Sequence, residues 1–130
     1  MENKEFFTSD GKLSAEVSFV EPTVAQTVVL GNSDEMSSSQ YAGYITHLFE
    51  SGGLQGMIVD ATHAGSISVQ AIDILAKSDA LDFVKKVGVF GVSSPVFKLA
   101  LQAIIAGSRR SNIQIFANRD EALAYVKSGN

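Results

Sequence analysis

From Lys12 to Val20 polar and apolar residues alternate one by one, with Leu13, Ala15, Val17 and Phe19 set against Lys12, Ser14, Glu16 and Ser18. A period of two is that of a strand with one buried face. Glu21-Pro22-Thr23 breaks the pattern, and Thr23 to Leu30, rich in β-branched residues, predicts a second strand. So short a break joins antiparallel neighbours, because a parallel pair needs a long crossover.

The period then lengthens. Gly31-Asn32-Ser33-Asp34 reads as a turn with capping residues, followed by a helix to about Ser51 with Tyr41, Tyr44, Ile45, Leu48 and Phe49 on one stripe. Gly52-Gly53 stops it. Gln55 to Ala61 predicts a third strand, and its unbroken Met57-Ile58-Val59 suits a strand covered on both faces. After the loop Thr62 to Ser66, a helix from about Ser68 to Lys86 should turn Val69, Ile72, Ala76, Ala80 and Phe83 inward. Ser78-Asp79 would split it, since both residues favour caps.

The last third is denser still. Val87 to Val92 predicts a strand, Ser93-Ser94-Pro95 opens a helix with an apolar run from Val96 to Ile105, Ile113 to Phe116 predicts a strand, and Asn118 to Val126 a capped helix. The order ββαβαβαβα implies an α/β fold. It has one mixed sheet of five strands, an antiparallel hairpin followed by parallel βαβ units with right-handed crossovers, and four helices. Residues 1–11 read as a flexible N-terminal segment and residues 12–130 as one domain.

Taken together, Val87-Gly88-Val89-Phe90-Gly91, the apolar helix behind Pro95, and Ile113-Gln114-Ile115-Phe116 leading to Asn118-Arg119-Asp120-Glu121-Ala122-Leu123-Ala124-Tyr125-Val126 resemble the STAS domain superfamily, in its SpoIIAA-like branch. The resemblance runs from about Lys12 to Val126, with Tyr125 where the branch often has tryptophan. It implies a non-enzymatic regulatory or binding domain that docks to partner proteins. Some such domains are switched by phosphorylation of a serine at the start of the second helix, within an Asp-Ser-(Ser)-Gly turn. This chain departs there, reading Asp60-Ala61-Thr62-His63-Ala64-Gly65-Ser66-Ile67-Ser68-Val69. The strand-ending Asp60 fits and Ser68 falls nearest the switch, but Ile67 replaces the aspartate and no glycine follows.

Composition narrows the function classes. Of 130 residues, 45% are apolar and 18% charged, enough for a core without staples and against disorder. No cysteine is present, which excludes disulfides and thiolate chemistry and suits the cytoplasm. No apolar run has signal-peptide or membrane-spanning length. The net charge of −4 is split, nine acids and two bases in residues 1–65 against five acids and eight bases in residues 66–130. Two such poles can steer a partner or can be plain solvated surface. The acidic balance, without a basic stripe interleaved with aromatics, argues against nucleic acid.

Candidate chemistry is sparse. Asp60, Ser66 and Ser68 form a candidate regulatory loop, where a phosphate would meet the free N–H groups of a helix start. A plain N-cap explains the serines equally. Gly88, Gly91, Ser93 and Ser94 make a candidate anion site, or else a tight turn with Ser94 capping and Pro95 opening the helix. His47 should be exposed, and His63 lies too near Asp60 and Ser66 along one loop for triad geometry. No metal-ligand spacing, dinucleotide fingerprint or phosphate-loop lysine occurs. The Val96–Ala106 helix has more apolar surface than one stripe, so Phe97, Leu101 and Ile105 are a candidate partner or ligand contact, or the helix is sandwiched.

The expectation is therefore a cytoplasmic, non-catalytic interaction module without cofactor, which docks a protein partner or self-associates, a dimer being favoured. The alternative is a carrier or sensor of a small apolar or anionic ligand in a crevice at the strand C-termini.

Overall fold

Backbone polar groups need partners wherever they are buried, and the strands of this chain find theirs in one sheet. The computed structural model describes residues 3–78, 84–108 and 112–128. In chain order it contains β1 (Lys4–Phe7), β2 (Leu13–Glu21), β3 (Val24–Val29), α1 (Glu35–Glu50), β4 (Gly56–Asp60), α2 (Val69–Lys77), β5 (Lys86–Phe90), α3 (Pro95–Ser108), β6 (Ile113–Phe116) and α4 (Arg119–Val126). The strands lie side by side in that same order. β1, β2 and β3 pair antiparallel, and β3 to β6 pair parallel.

The mixed sheet and four helices agree with the sequence pattern, but the sheet has six strands rather than five. The additional one is β1, within the segment read as lying outside the domain. It is too short to show a period. What holds it is Phe6, 1% exposed, whose ring meets Tyr41 edge-on at 5.6 Å and Tyr44 at 5.7 Å. Both tyrosines come from α1, so tertiary contact and not local pattern makes this strand.

The two faces are covered unequally. Met57, Val87 and Val89 join Ile45, Leu101 and Ile104 in the larger core beneath α1, α2 and α3. Ile58 and Phe90 point the other way, to Ala122 of α4. Burial on both sides accounts for the unbroken apolar run in β4. α4 lies close because β4 and β5 offer it glycine: a Cβ on Gly88 would stand 2.9 Å from the Ala122 carbonyl oxygen, and one on Gly56 would stand 3.2 Å from Val126 Cβ. Tyr125 fixes the far side of α4, donating to the Asn112 carbonyl at 3.1 Å and stacking obliquely on Phe116.

Helix ends follow their caps. Asp34 accepts from Ser37 N at 2.9 Å while Ser37 Oγ accepts from Asp34 N at 3.0 Å, a reciprocal box that starts α1. The other Asp34 oxygen accepts from Ser9 N at 2.8 Å, tying the β1–β2 turn to the helix. The Ser37 and Ser9 N–H groups together hold the Asp34 carboxyl down at about 2. α2 ends at Lys77 with Ser78 extended, and Asp79 lies outside the described residues.

Inward faces differ from the pattern at several positions. Val69 was expected inside but is 78% exposed, because it follows the Ser68 cap as the first helical residue; Ile72 packs inward as expected, with Ala71 and Leu75 beside it. Ala76 faces Gly107 of α3, where a Cβ would come within 2.7 Å of it. Ala80 and Phe83 lie outside the described residues. Lys86 belongs to β5, not to a helix, and Phe49 is exposed at the end of the α1 stripe. In α3, Ala100, Leu101 and Ile104 are buried, with Phe97 and Ile105 packed beside them, whereas Val96 and Leu99 are each 68% exposed. Of the three candidate contact residues on this helix, Leu101 is thus buried while Phe97 and Ile105 are partly buried, since ridge positions at spacings of three and four must cover the sheet.

Leu101→Asp should therefore unfold the protein, costing roughly 3–5 kcal/mol for an unpaired buried charge, while Leu99→Asp should stay within about 0.5 kcal/mol of the parent. Chemical denaturation followed by circular dichroism separates the two. Asp34→Ala should cost about 1 kcal/mol at neutral pH through loss of the cap. Because the folded carboxyl titrates near 2 against an ordinary 3.8, that contribution is complete above 3.8 and is lost as pH falls through about 2. Urea melts of both proteins at graded pH should show the gap closing over that window.

Candidate functional site at the strand-end edge

β3, β4 and β5 run the same way, so their carboxyl ends share one edge and the loops leaving them feed the N-termini of α1, α2 and α3. The first two of these loops are tied together. Gly65 N donates to the Gly31 carbonyl at 2.9 Å, Ser33 N to the Ser66 carbonyl at 2.9 Å, and Ser68 N to the Ser33 carbonyl at 3.0 Å. Asn32 Oδ1 accepts from Ser66 N at 2.9 Å. Ser33 and Ile67 form an isolated parallel bridge, a short continuation of the ladder beyond the strands. Gly65 is needed there, since a Cβ would stand 2.3 Å from Asn32 Oδ1.

Within this frame the regulatory-loop residues take local roles. Asp60 Oδ1 accepts from Thr62 N at 2.9 Å, turning the chain as it leaves β4. Ser68 is the N-cap of α2, its Oγ accepting from Ala71 N at 3.1 Å. Ser66 is fixed by its backbone and leaves its side chain exposed. His63 and His47 are both exposed. No hydrogen bond joins Asp60, His63 and Ser66 among the described residues, and no group of three or more His, Asp or Glu there is placed to hold a metal ion.

A shallow depression beside Ser68 is lined by Ser9, Asp34, Glu35, Met36, Ser39 and Gln70. Two carboxylates and no cation line it. A phosphate on Ser68 would meet the favourable end of the α2 dipole but also like charge from the start of α1.

The second candidate is absorbed by the fold. Gly91 has φ +78°, a turn conformation suited to glycine, and a Cβ there would stand 2.4 Å from Thr62 Oγ1. Ser94 Oγ accepts from Phe97 N at 3.2 Å and its carbonyl accepts from Lys98 N at 3.0 Å, opening α3. Gly88 seats α4. Ser93 is exposed beside the cap.

Pattern reading missed two features of this edge. The strap from Gly31–Ser33 to Gly65–Ser68 joins residues more than thirty apart, with backbone groups that any residue supplies. The exposed apolar residues Met36, Val69, Val96 and Leu99 all lie in the opening turns of the three helices. Phe97 and Leu101 line an interior cavity of about 110 Å³ that the crevice residues Thr62, Ser93 and Ser94 do not touch. No helix among the described residues is long and apolar enough to cross a membrane.

No protein-family model matches the sequence, and no curated protein does. Solved structures do. The anti-sigma factor antagonist SpoIIAA in its unphosphorylated form superposes with a TM-score of 0.64 at 13% identity, covering 89% of this chain and 99% of that one. The Bacillus cell fate determinant SpoIIAA in the phosphorylated form gives 0.61 at 16% identity, over 87% and 99%. An uncharacterized protein of the DUF3478 family from Shewanella loihica, with a SpoIIAA-like fold, gives 0.60 at 13% identity, over 97% and 98%. The chain has a SpoIIAA-like fold.

Ser68→Ala should cost about 1 kcal/mol by removing the α2 cap, while Ser66→Ala should change stability by only a few tenths, since only the Ser66 backbone is engaged. Paired urea titrations read the difference.

Proposed function

We propose that this chain is a non-catalytic regulatory module that docks a partner protein through the strand-end edge. The observation that carries the reading is the exposure of Met36, Val69, Val96 and Leu99 at the starts of three neighbouring helices, on a fold whose solved counterpart SpoIIAA is an antagonist of an anti-sigma factor. Isolated surface apolar residues are ordinary; four at one edge, ahead of loops held rigid by the strap, suit recognition. Near them, the Asp60, Ser68 and Ser94 side chains are engaged in caps and turns. That supports a binding role over an enzymatic one.

The charge beside the apolar residues points to the partner's chemistry. Asp34 and Glu35 flank Met36 in the depression next to Ser68. A partner with an apolar centre and a basic rim is complementary. A two-fold pair of copies meeting through this edge would set acids against acids, so a different protein is favoured over the dimer expected from the sequence. The proposed setting is the cytoplasm, in keeping with a chain free of cysteine.

A photo-crosslinking residue placed at Val69 or at Leu99, in cells, tests this. The expected result is one discrete adduct from both positions, weakened when Glu35 is changed to Lys, with none from Gln55 at the opposite end of the sheet. An adduct of twice the chain's mass would replace the different partner by a second copy. Equal labelling from Gln55, or no adduct from Val69 and Leu99, would refute the docking edge.

A further inference from the structure

Protein interiors hold few voids larger than a water molecule, yet this one keeps a cavity of about 110 Å³ between the sheet and α1, α2 and α3. Val29, Val59, Val89, Phe97, Leu101 and Ile104 give it hydrocarbon walls. No Lys, Arg, His, Asp or Glu borders it among the described residues.

Most of its hydroxyls have partners. Thr27 Oγ1 lies 2.8 Å from Tyr41 Oη, and each is 3.3 Å from Met57 Sδ. Ser14 Oγ lies 3.4 Å from Ser33 Oγ, and Ser37 Oγ pairs with the Asp34 backbone. A water inside would want two to four polar partners, and these walls offer few that are free. An apolar cavity of roughly 150 Å³ in another protein stays dry and admits benzene or xenon. The volume here is somewhat smaller, so a single ring is the upper limit without movement of the walls.

We infer that this cavity is a binding site for a compact, uncharged, apolar molecule of up to about one ring, with room for at most one hydroxyl meeting the Thr27–Tyr41 pair. An anionic ligand does not suit this cavity, because a buried anion without a cation is strongly disfavoured. The Tyr41 phenol obeys the same rule: burial pushes it up to about 12, and it stays neutral at any physiological pH. The site lies beneath the helices and not in the strand-end crevice. It is independent of partner docking, and either can hold without the other.

Benzene is the probe, with benzoate as the charged control. The expected result is saturable benzene-induced shifts in the methyl NMR signals of Val89, Leu101 and Ile104, together with a rise in thermal midpoint. Benzoate should leave both unchanged. Ala15→Leu adds three carbons from the β2 wall of the cavity. It should keep the parent's circular dichroism and weaken benzene binding at least tenfold. Should that variant fail to fold, Val89→Ile fills the same space more gently and carries the same expectation. Benzene shifts that do not saturate, shifts confined to exposed positions such as Val69, equal response to benzoate, or unchanged binding in a folded cavity-filling variant would each overturn the inference.

Discussion

Four successive strands, β3 to β6, point the same way, and a polypeptide can do that only by crossing back between them. Each return is spent on a helix, and the right-handed sense of the crossover puts all three helices on one face. Every other feature follows from this constraint. The larger core lies under those helices. Their N-termini collect at one edge. The opposite face is left to a single helix, α4, which reaches it only because Gly56 and Gly88 carry no side chain to hold it away.

That edge is unusual less for its side chains than for its backbone. Between the ends of β3 and β4 the chain continues to exchange hydrogen bonds, from Gly31 and Ser33 to Gly65, Ser66 and Ser68. Loops that would otherwise move are thereby held to the sheet, and preorganised loops lose less entropy when something binds them. The same strap brings the start of α2 beside the acidic start of α1. Ser68 caps α2 in that neighbourhood.

Beneath the edge, the packing is incomplete in a selective way. Ser14 pairs with Ser33 and Thr27 with Tyr41, and most of the remaining wall is hydrocarbon from the strands and α3. α3 therefore has two duties. Leu101 and Ile104 close the core, while Val96 and Leu99 face solvent on the same helix. An apolar count alone cannot separate those duties, because both pairs contribute equally to the run from Val96 to Ile105.

The alternation in β2, the unbroken run in β4, the caps at Asp34, Ser68, Ser94 and Asn118, and the Pro95 start of α3 are local signals. They were legible in the chain because period and cap chemistry act within a few residues. From them came the α/β class, the mixed sheet and the parallel crossovers. β1 was not legible, since Phe6 is held by Tyr41 and Tyr44 across the sheet-to-helix contact and by no pattern of its own. Neither was the choice of face on α3, the outward turn of Val69, the seat that Gly88 gives to α4, or the strap between loops. Each of these depends on which distant backbone or side chain arrives opposite. The sequence by itself determined the elements and their order, through rules that span a turn or a strand. Only the tertiary structure decided which apolar residues became core, cavity wall or exposed edge, because burial belongs to pairs of surfaces and not to single segments.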